Sequence, residues 1–343
     1  MSSTWSAWRS AVHWWAVLTA VLTFVLLCSG GLVTSHGAGM AVPDWPNTFG
    51  YNMFLFPLSR WVGGIFYEHT HRLIASGIGL MTVILSVVLW RVEPRRWVKI
   101  FGVCAVVAVC LQGVLGGLRV VLIKDEIGIL HALLAQSFFV AISLLAIVTG
   151  RSFVERRWAD YEPHPTLRWW ALGTTALVCL QLGIGATMRH EHIGLSIPDF
   201  PLAYGSWLPD TSSEAMERIN SQRLAASEMK TNALQIWIQM AHRIVAFGIA
   251  AAVLTFFWKA RRGPRAIRVW SMVWLAMVCV QIALGAWTIW SNKAADVATA
   301  HMALGALTLL VGALLAFRLF YGAQTRRFIL PDAPSRRLIE RIA

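Results

Sequence analysis

Apolar runs of about 20 residues recur along this chain, and each is long enough to cross roughly 30 Å of hydrocarbon as a helix. Eight of them are expected to span a membrane, at residues 12–34, 66–90, 98–118, 127–149, 169–188, 234–258, 269–290 and 297–319. Of the 343 residues 57% are hydrophobic and only 14% are charged, with a mean hydropathy of +0.59, which is too apolar for a soluble domain of this length. The first run is longer than a signal peptide requires and no small-residue cleavage pattern follows it, so it counts as a span.

A net charge of +13 raises the question of nucleic acid, and the distribution of the 30 Lys and Arg answers it. With both termini cytoplasmic, 20 fall on the inside: Arg9, Arg91, Arg95, Arg96, Lys99, Arg151, Arg156, Arg157, Arg168, Lys259, Arg261, Arg262, Arg265, Arg268 and six in the tail from Arg318 to Arg341. Eight fall outside: Arg60, Arg119, Lys124, Arg189, Arg218, Arg223, Lys230 and Lys293; Arg72 and Arg243 lie within spans. This is the positive-inside pattern of a multi-pass protein, and no nucleic-acid partner is expected. Too few residues precede the first span for a mitochondrial transit segment, so a bacterial cytoplasmic membrane is expected, with lipid as the surroundings. The five cysteines, Cys28, Cys104, Cys110, Cys179 and Cys279, all fall within spans and are expected to be small core residues.

The spans form an internal repeat. PDWPNTFG at 43–50 matches PDFPLAYG at 198–205 at an offset of 155, which also pairs Gly30 with Gly185 and Gly39 with Gly194. HRLIASGIG from His71 matches HRIVAFGIA from His242, QGVLGG from Gln112 matches QIALGA from Gln281, and HALLAQ from His131 matches HMALGA from His301, at offsets of 171, 169 and 170. The chain is therefore a duplicated four-helix unit with about 16 extra residues in the second long outer loop. An even number of spans per copy gives both copies the same orientation. The expected fold class is an all-α integral membrane protein with eight transmembrane helices as two parallel pseudo-twofold four-helix bundles, residues 1–160 and 161–343. The extra outer stretch, roughly Ser212 to Met229, is polar and suits a short surface helix.

His71, His131, His242 and His301 lie four to eight residues inside the outer ends of spans 2, 4, 6 and 8. One histidine in an apolar helix is most often a hydrogen-bonded packing residue; four at equivalent shallow positions are better explained as ligands. Two imidazoles facing each other across a bundle are a standard way to hold haem iron. Each is followed at i+4, on the same face, by a small residue, Ala75, Ala135, Ala246 or Gly305, which leaves room for a flat macrocycle. Zinc is the rival, but two histidines per half without thiolates or carboxylates make a poor closed zinc site.

Few ionisable groups lie within the spans, and burial makes them functional candidates. Glu68 sits one turn outward from His71, while its counterpart is the neutral Gln239, so the first site is expected to carry proton-coupled chemistry. Arg72 and Arg243 follow histidines and have two available roles, binding haem propionates or snorkelling to the interface. His69 lies about 100° round the helix from Glu68 and is expected to point away from the His71 face, and His13, His36, His164, His190 and His192 are left without a role. The two PDxP segments are expected to roof the pockets, with Asp44 and Asp199 capping their turns. The 18 tryptophans cluster at span ends as an aromatic belt.

At these residues the sequence resembles the haem A synthase family. The likeness covers most of the chain and rests on GGLVTSHGAGMAVPDWP at 30–46, EHTHR at 68–72, the histidines at 131, 242 and 301, and the duplicated plan. It implies that His71 and His131 coordinate the substrate haem O, that His242 and His301 hold a resident haem b, and that Glu68 is the catalytic carboxylate. The implied reaction oxidises the C8 methyl of haem O to the formyl of haem A by successive hydroxylations, with loss of water from the geminal diol. A haem O synthase, cytochrome oxidase assembly factors and an electron acceptor of unknown identity are the partners so implied. Many bacterial members carry a cysteine pair around the first PDWP segment where this chain has Val42 and Thr48, with Ile197 and Ala203 at the repeat positions, so a loop disulfide is excluded. Two other functions use four histidines: a quinol-linked di-haem electron carrier, and a haem transporter or chaperone.

Overall fold

A computed structural model describes residues 4–155 and 165–329. His164, Arg156, Arg157, Arg336, Arg337 and Arg341 lie outside the described residues. Ten α-helices occur among the described residues: α1 Thr4–Ser35, α2 Gly63–Val92, α3 Arg96–Val121, α4 Asp125–Thr149, α5 Arg151–Val154, α6 Pro165–His190, α7 Ser213–Ala225, α8 Ala233–Ala260, α9 Arg265–Trp290 and α10 Ala295–Ile329. Eight are long and apolar enough to cross a membrane, and they coincide with the eight expected spans. The chain is an all-α multi-pass membrane protein.

Helix ends follow local chemistry more than hydropathy, which is why several helices outrun their apolar cores. Gly37, at φ 62°, terminates α1: its N–H and that of Ala38 return to Thr34 and Val33 carbonyls. Pro94 follows the end of α2. Asn232 and Gln235 form a capping box at the start of α8. The expected surface helix is α7, capped by Ser212, whose Ala215 and Ile219 bury against the second long loop.

In the first bundle α1 packs on α2 and α4, and α3 fills the opposite corner; α6, α8, α9 and α10 repeat this plan. Each bundle has its own apolar core, Ile78, Leu85, Ile142 and Leu145 among the first and Val253, Phe256, Trp274 and Leu315 among the second. The bundles meet where α1 lies on α10 and α4 lies on α6 and α10.

Two expectations change. Cys104, Cys110, Cys179 and Cys279 are exposed on the bundle surfaces rather than in the core, and only Cys28 is half-buried. In a bilayer an apolar side chain is as stable against lipid as against protein, so hydrophobicity does not assign it inward. The tryptophans are mostly exposed, as a belt requires, but Trp274 is fully buried and donates its indole N–H to the Thr308 carbonyl.

The repeat is clearest in the loops. In each, Asp44 or Asp199 accepts the N–H of a left-handed aromatic and of the following glycine: Phe49 and Gly50 in the first, Tyr204 and Gly205 in the second, all at 2.8 Å. Both aspartates therefore cap their turns as expected. We refer to the end of the bundles bearing these segments as the loop face.

Candidate functional site

All four histidines of the pairs are seated against a glycine of the preceding long helix. A methyl group at Gly30 would lie 3.0 Å from Cε1 of His71, one at Gly116 3.3 Å from that of His131, one at Gly185 3.2 Å from that of His242 and one at Gly285 3.1 Å from that of His301. Any larger residue would displace an imidazole. One turn before three of these glycines a glutamine donates its amide to the backbone carbonyl of the same histidine: Gln112 to His131 at 3.0 Å, Gln181 to His242 at 2.9 Å and Gln281 to His301 at 2.7 Å. Leu26 stands at the fourth position. The glycines and glutamines are legible in the sequence as a Q-x-x-x-G spacing ahead of three histidines, but small residues are common in membrane helices and the spacing alone does not single them out.

Among the described residues the Nδ1 atoms of all four imidazoles are buried without a hydrogen-bond partner. His190 Nδ1 and His69 Nε2 share that condition, so what sets the four apart is their equivalent seating as well as their unused binding capacity. His242 and His301 face each other with ring centroids 6.4 Å apart and planes at 62°. With metal–nitrogen bonds of about 2 Å, a single ion between two imidazole nitrogens sets their rings roughly 6 Å apart. The pair lines a cavity of about 480 Å³, within the roughly 300–1,000 Å³ range of cofactor pockets. Ala246 and Gly305, the i+4 residues, line the same cavity. Two imidazoles at this separation, a cavity and small flanking residues fit a metal in a flat macrocycle. Among the described residues no group of three His, Cys, Asp or Glu is arranged to hold a metal by side chains alone.

His71 and His131 lie within electrostatic range of each other and of Arg119. Ala135 packs at the seam between bundles with Leu27, Phe139 and Ala306. Glu68 is 4% exposed, and its carboxylate is fully engaged: one oxygen accepts the Val42 N–H at 2.8 Å and the other accepts from Arg72 at 2.6 Å. Gln239 holds the equivalent loop residue, accepting the Ile197 N–H at 2.7 Å and donating to its carbonyl at 3.0 Å. Glu68 and Gln239 thus share one positioning contact, and differ in the charge they bring to it.

The contacts that the two arginines make are with the loops. Arg72 donates to the carbonyls of Val42, Asp44 and Asn47, and Arg243 to those of Asp199 and Leu202. Both guanidinium groups staple a loop onto its bundle. His69 points away from the His71 side as expected, its Nδ1 3.1 Å from the Thr48 hydroxyl and its ring against Phe56 and Trp61. Partial burial would raise the Asp44 carboxyl, but the N–H bonds from Gly50 and Phe49, helped by the charge of Arg72, hold it below the usual carboxylate range.

The chain as a whole has counterparts among known proteins. A family model described as cytochrome oxidase assembly protein, COX15-CtaA, matches residues 13–313. This chain belongs to the COX15-CtaA family. Within the family it is similar to a heme A synthase of Geobacillus kaustophilus (strain HTA426), 26% identical over 331 residues that cover 93% of this chain and 94% of the relative. A heme A synthase of Lysinibacillus sphaericus (strain C3-41) is 26% identical over 311 residues, 88% of this chain and 92% of its own. One from Bacillus mycoides (strain KBAB4) is 24% identical over 301 residues, 84% and 87% of the two chains. The COX15-CtaA match encloses all four histidines, Glu68 and both loop segments.

Proposed function

We propose that this protein is a haem A synthase, a membrane oxidoreductase that converts haem O to haem A for cytochrome oxidase. The observation that carries the reading is the facing pair His242 and His301 over its cavity, repeated in sequence and seating by His71 and His131. Relatives named heme A synthase, aligned over most of the chain, support the same reaction.

In this reading His71 and His131 hold the substrate haem O in the N-terminal half, and His242 and His301 hold a resident haem b in the C-terminal half. When bound, the haems supply the redox chemistry that takes the C8 methyl group through hydroxylation to the formyl. The chain supplies position and protons. Gly30 and Gly116 fix the His71 and His131 rings, and the loop held by Glu68 and Arg72 closes the site against water. Glu68, one turn from His71, holds or releases a proton at the oxygen paired with Arg72; Gln239 has no such capacity, which makes the N-terminal half the reacting half.

Cations gather opposite the loop face, at Arg91, Arg95, Arg96 and Lys99 between α2 and α3 and at Lys259, Arg261, Arg262 and Arg265 between α8 and α9. This supports cytoplasmic termini, with both haem sites near the outer face of a bacterial cytoplasmic membrane. The partners implied are haem O and an electron acceptor; a haem O synthase and cytochrome oxidase assembly factors follow from the pathway.

The test is to extract haems from cells that make haem O, with and without this protein, and identify them by mass. Haem A or hydroxylated haem O is expected only with the protein. Their absence while the protein is present and loaded with haem overturns the enzymatic reading in favour of an electron carrier.

A further inference from the structure

The C-terminal cavity is polar at one end. Its deep end is lined by Val178, Ile249 and Val278, and its mouth at the loop face by Arg189 and Lys293 with His190 and His192, beside the loop-bound Arg243. No aspartate or glutamate lines it. Arg189 is held by α1, one terminal nitrogen donating to the Gly31 carbonyl and the Ser35 hydroxyl. Its other terminal nitrogen and Nε have no partner among the described residues. The Lys293 ammonium has no hydrogen bond or ion pair among the described residues, while its backbone N–H donates to the Thr288 carbonyl. It projects from the α9–α10 turn, where Asn292 and Lys293 both adopt left-handed backbone, at φ 52° and 61°.

Comparison of the halves explains why these charges are uncompensated. In the first half Arg119 lies over the loop glycine Gly39, and in the second the Lys293 stem lies over the equivalent Gly194. Arg119 is neutralised by Asp125 at 2.8 Å, the residue that opens α4. At the corresponding helix start α10 has Ala295, and the next residue, Asp296, accepts the Val297 N–H at 2.9 Å and forms no ion pair with Lys293. Arg189 adds a further charge where the first half has Thr34 at the repeat position. Two cations in a partly dehydrated mouth, above an apolar floor, match an amphipathic ligand with carboxylates at one edge.

Resting on the reading that a haem occupies this cavity, we propose that Arg189 and Lys293 are its carboxylate-binding end, taking the two haem propionates and orienting the macrocycle with its apolar edge toward Val178 and Ile249. Arg243 also lines the cavity, but both its terminal nitrogens are committed to the loop carbonyls of Leu202 and Asp199, which leaves only its buried Nε without a partner.

The test compares haem with its dimethyl ester, which has the same macrocycle without the carboxylates. The full chain, carrying His71→Ala and His131→Ala so that only the C-terminal pair remains, is made without haem and titrated with each. Haem is expected to bind about tenfold or more tightly than the ester. Lys293→Gln and Arg189→Gln should each lower that preference several-fold and together abolish it, whereas Lys293→Arg should keep it and Lys230→Gln, on the exposed loop, should not change it. Equal binding of haem and ester by the unaltered mouth, or an undiminished preference in Lys293→Gln, overturns the proposal while leaving the haem site standing. Failure to form the low-spin spectrum of a bis-imidazole haem, or its persistence after His242→Ala, overturns the haem site itself. Should Arg189→Gln not fold, the Lys293 variants decide the matter alone.

Discussion

At the scale of the residue, Glu68 and Gln239 make the same holding contact, and only Glu68 can ionise. Its oxygens hold Val42 and Arg72, as Gln239 holds Ile197, so the position is structural in both halves and ionisable in one. Glu68→Gln should therefore fold and keep its haem, because the chain already contains a glutamine performing the holding role. Conversion of haem O should fall by about 10²-fold or more, the range of a lost general acid or base. Haem content and product, measured on the same preparation, check this; unchanged turnover would remove Glu68 from the chemistry. Sequence showed the Glu68 and Gln239 contrast because it lies in the aligned repeat. It did not show the loop contacts, which join residues 26 and 42 positions apart.

At the scale of the element, the two loop segments are small folded units held by one carboxylate each. Asp44 accepts two N–H bonds that only its ionised form satisfies fully, and its carboxyl lies below the usual range. A depressed folded value means the stabilisation is present above the unfolded value near 4 and is lost as pH falls through the folded one. Acidification below about pH 4 should open residues 43–51 to protease before the spans melt, and Asp44→Asn should open them at neutral pH. Limited proteolysis followed by mass mapping reads both. The PDxP repeat announced these turns; which carbonyls they offer to Arg72 and Arg243 emerged only once helix and loop were docked.

At the scale of the whole molecule, one helix touches both sites. Gly30 of α1 faces His71, and its neighbour Gly31 faces α10, where a methyl group would lie 2.7 Å from Met302 and 2.8 Å from Thr299, two residues before His301. Arg189 ties the same segment to α6 and the second cavity. Gly31→Val should force the bundles apart at a cost of about 1–3 kcal/mol, lower the melting temperature and disturb haem binding in both halves. Gly30→Ala should disturb the first half alone. Thermal melts and haem-to-protein ratios distinguish the two, and a Gly31→Val protein with unaltered haem in both halves would show that the seam is not shared.

The sequence by itself determined the eight spans, their duplication, the equivalent depth of four histidines and the single carboxylate, because transfer to lipid and helical periodicity act on each segment along the chain. Tertiary structure decided which glycine seats each imidazole, that four of five cysteines face outward, that Arg72 and Arg243 staple loops, and that Arg189 meets Lys293 from a separate element. Those outcomes depend on the rotation and register of one helix against another. Lipid, equally favourable to every apolar face, leaves that choice to small residues, polar contacts and close packing between distant segments.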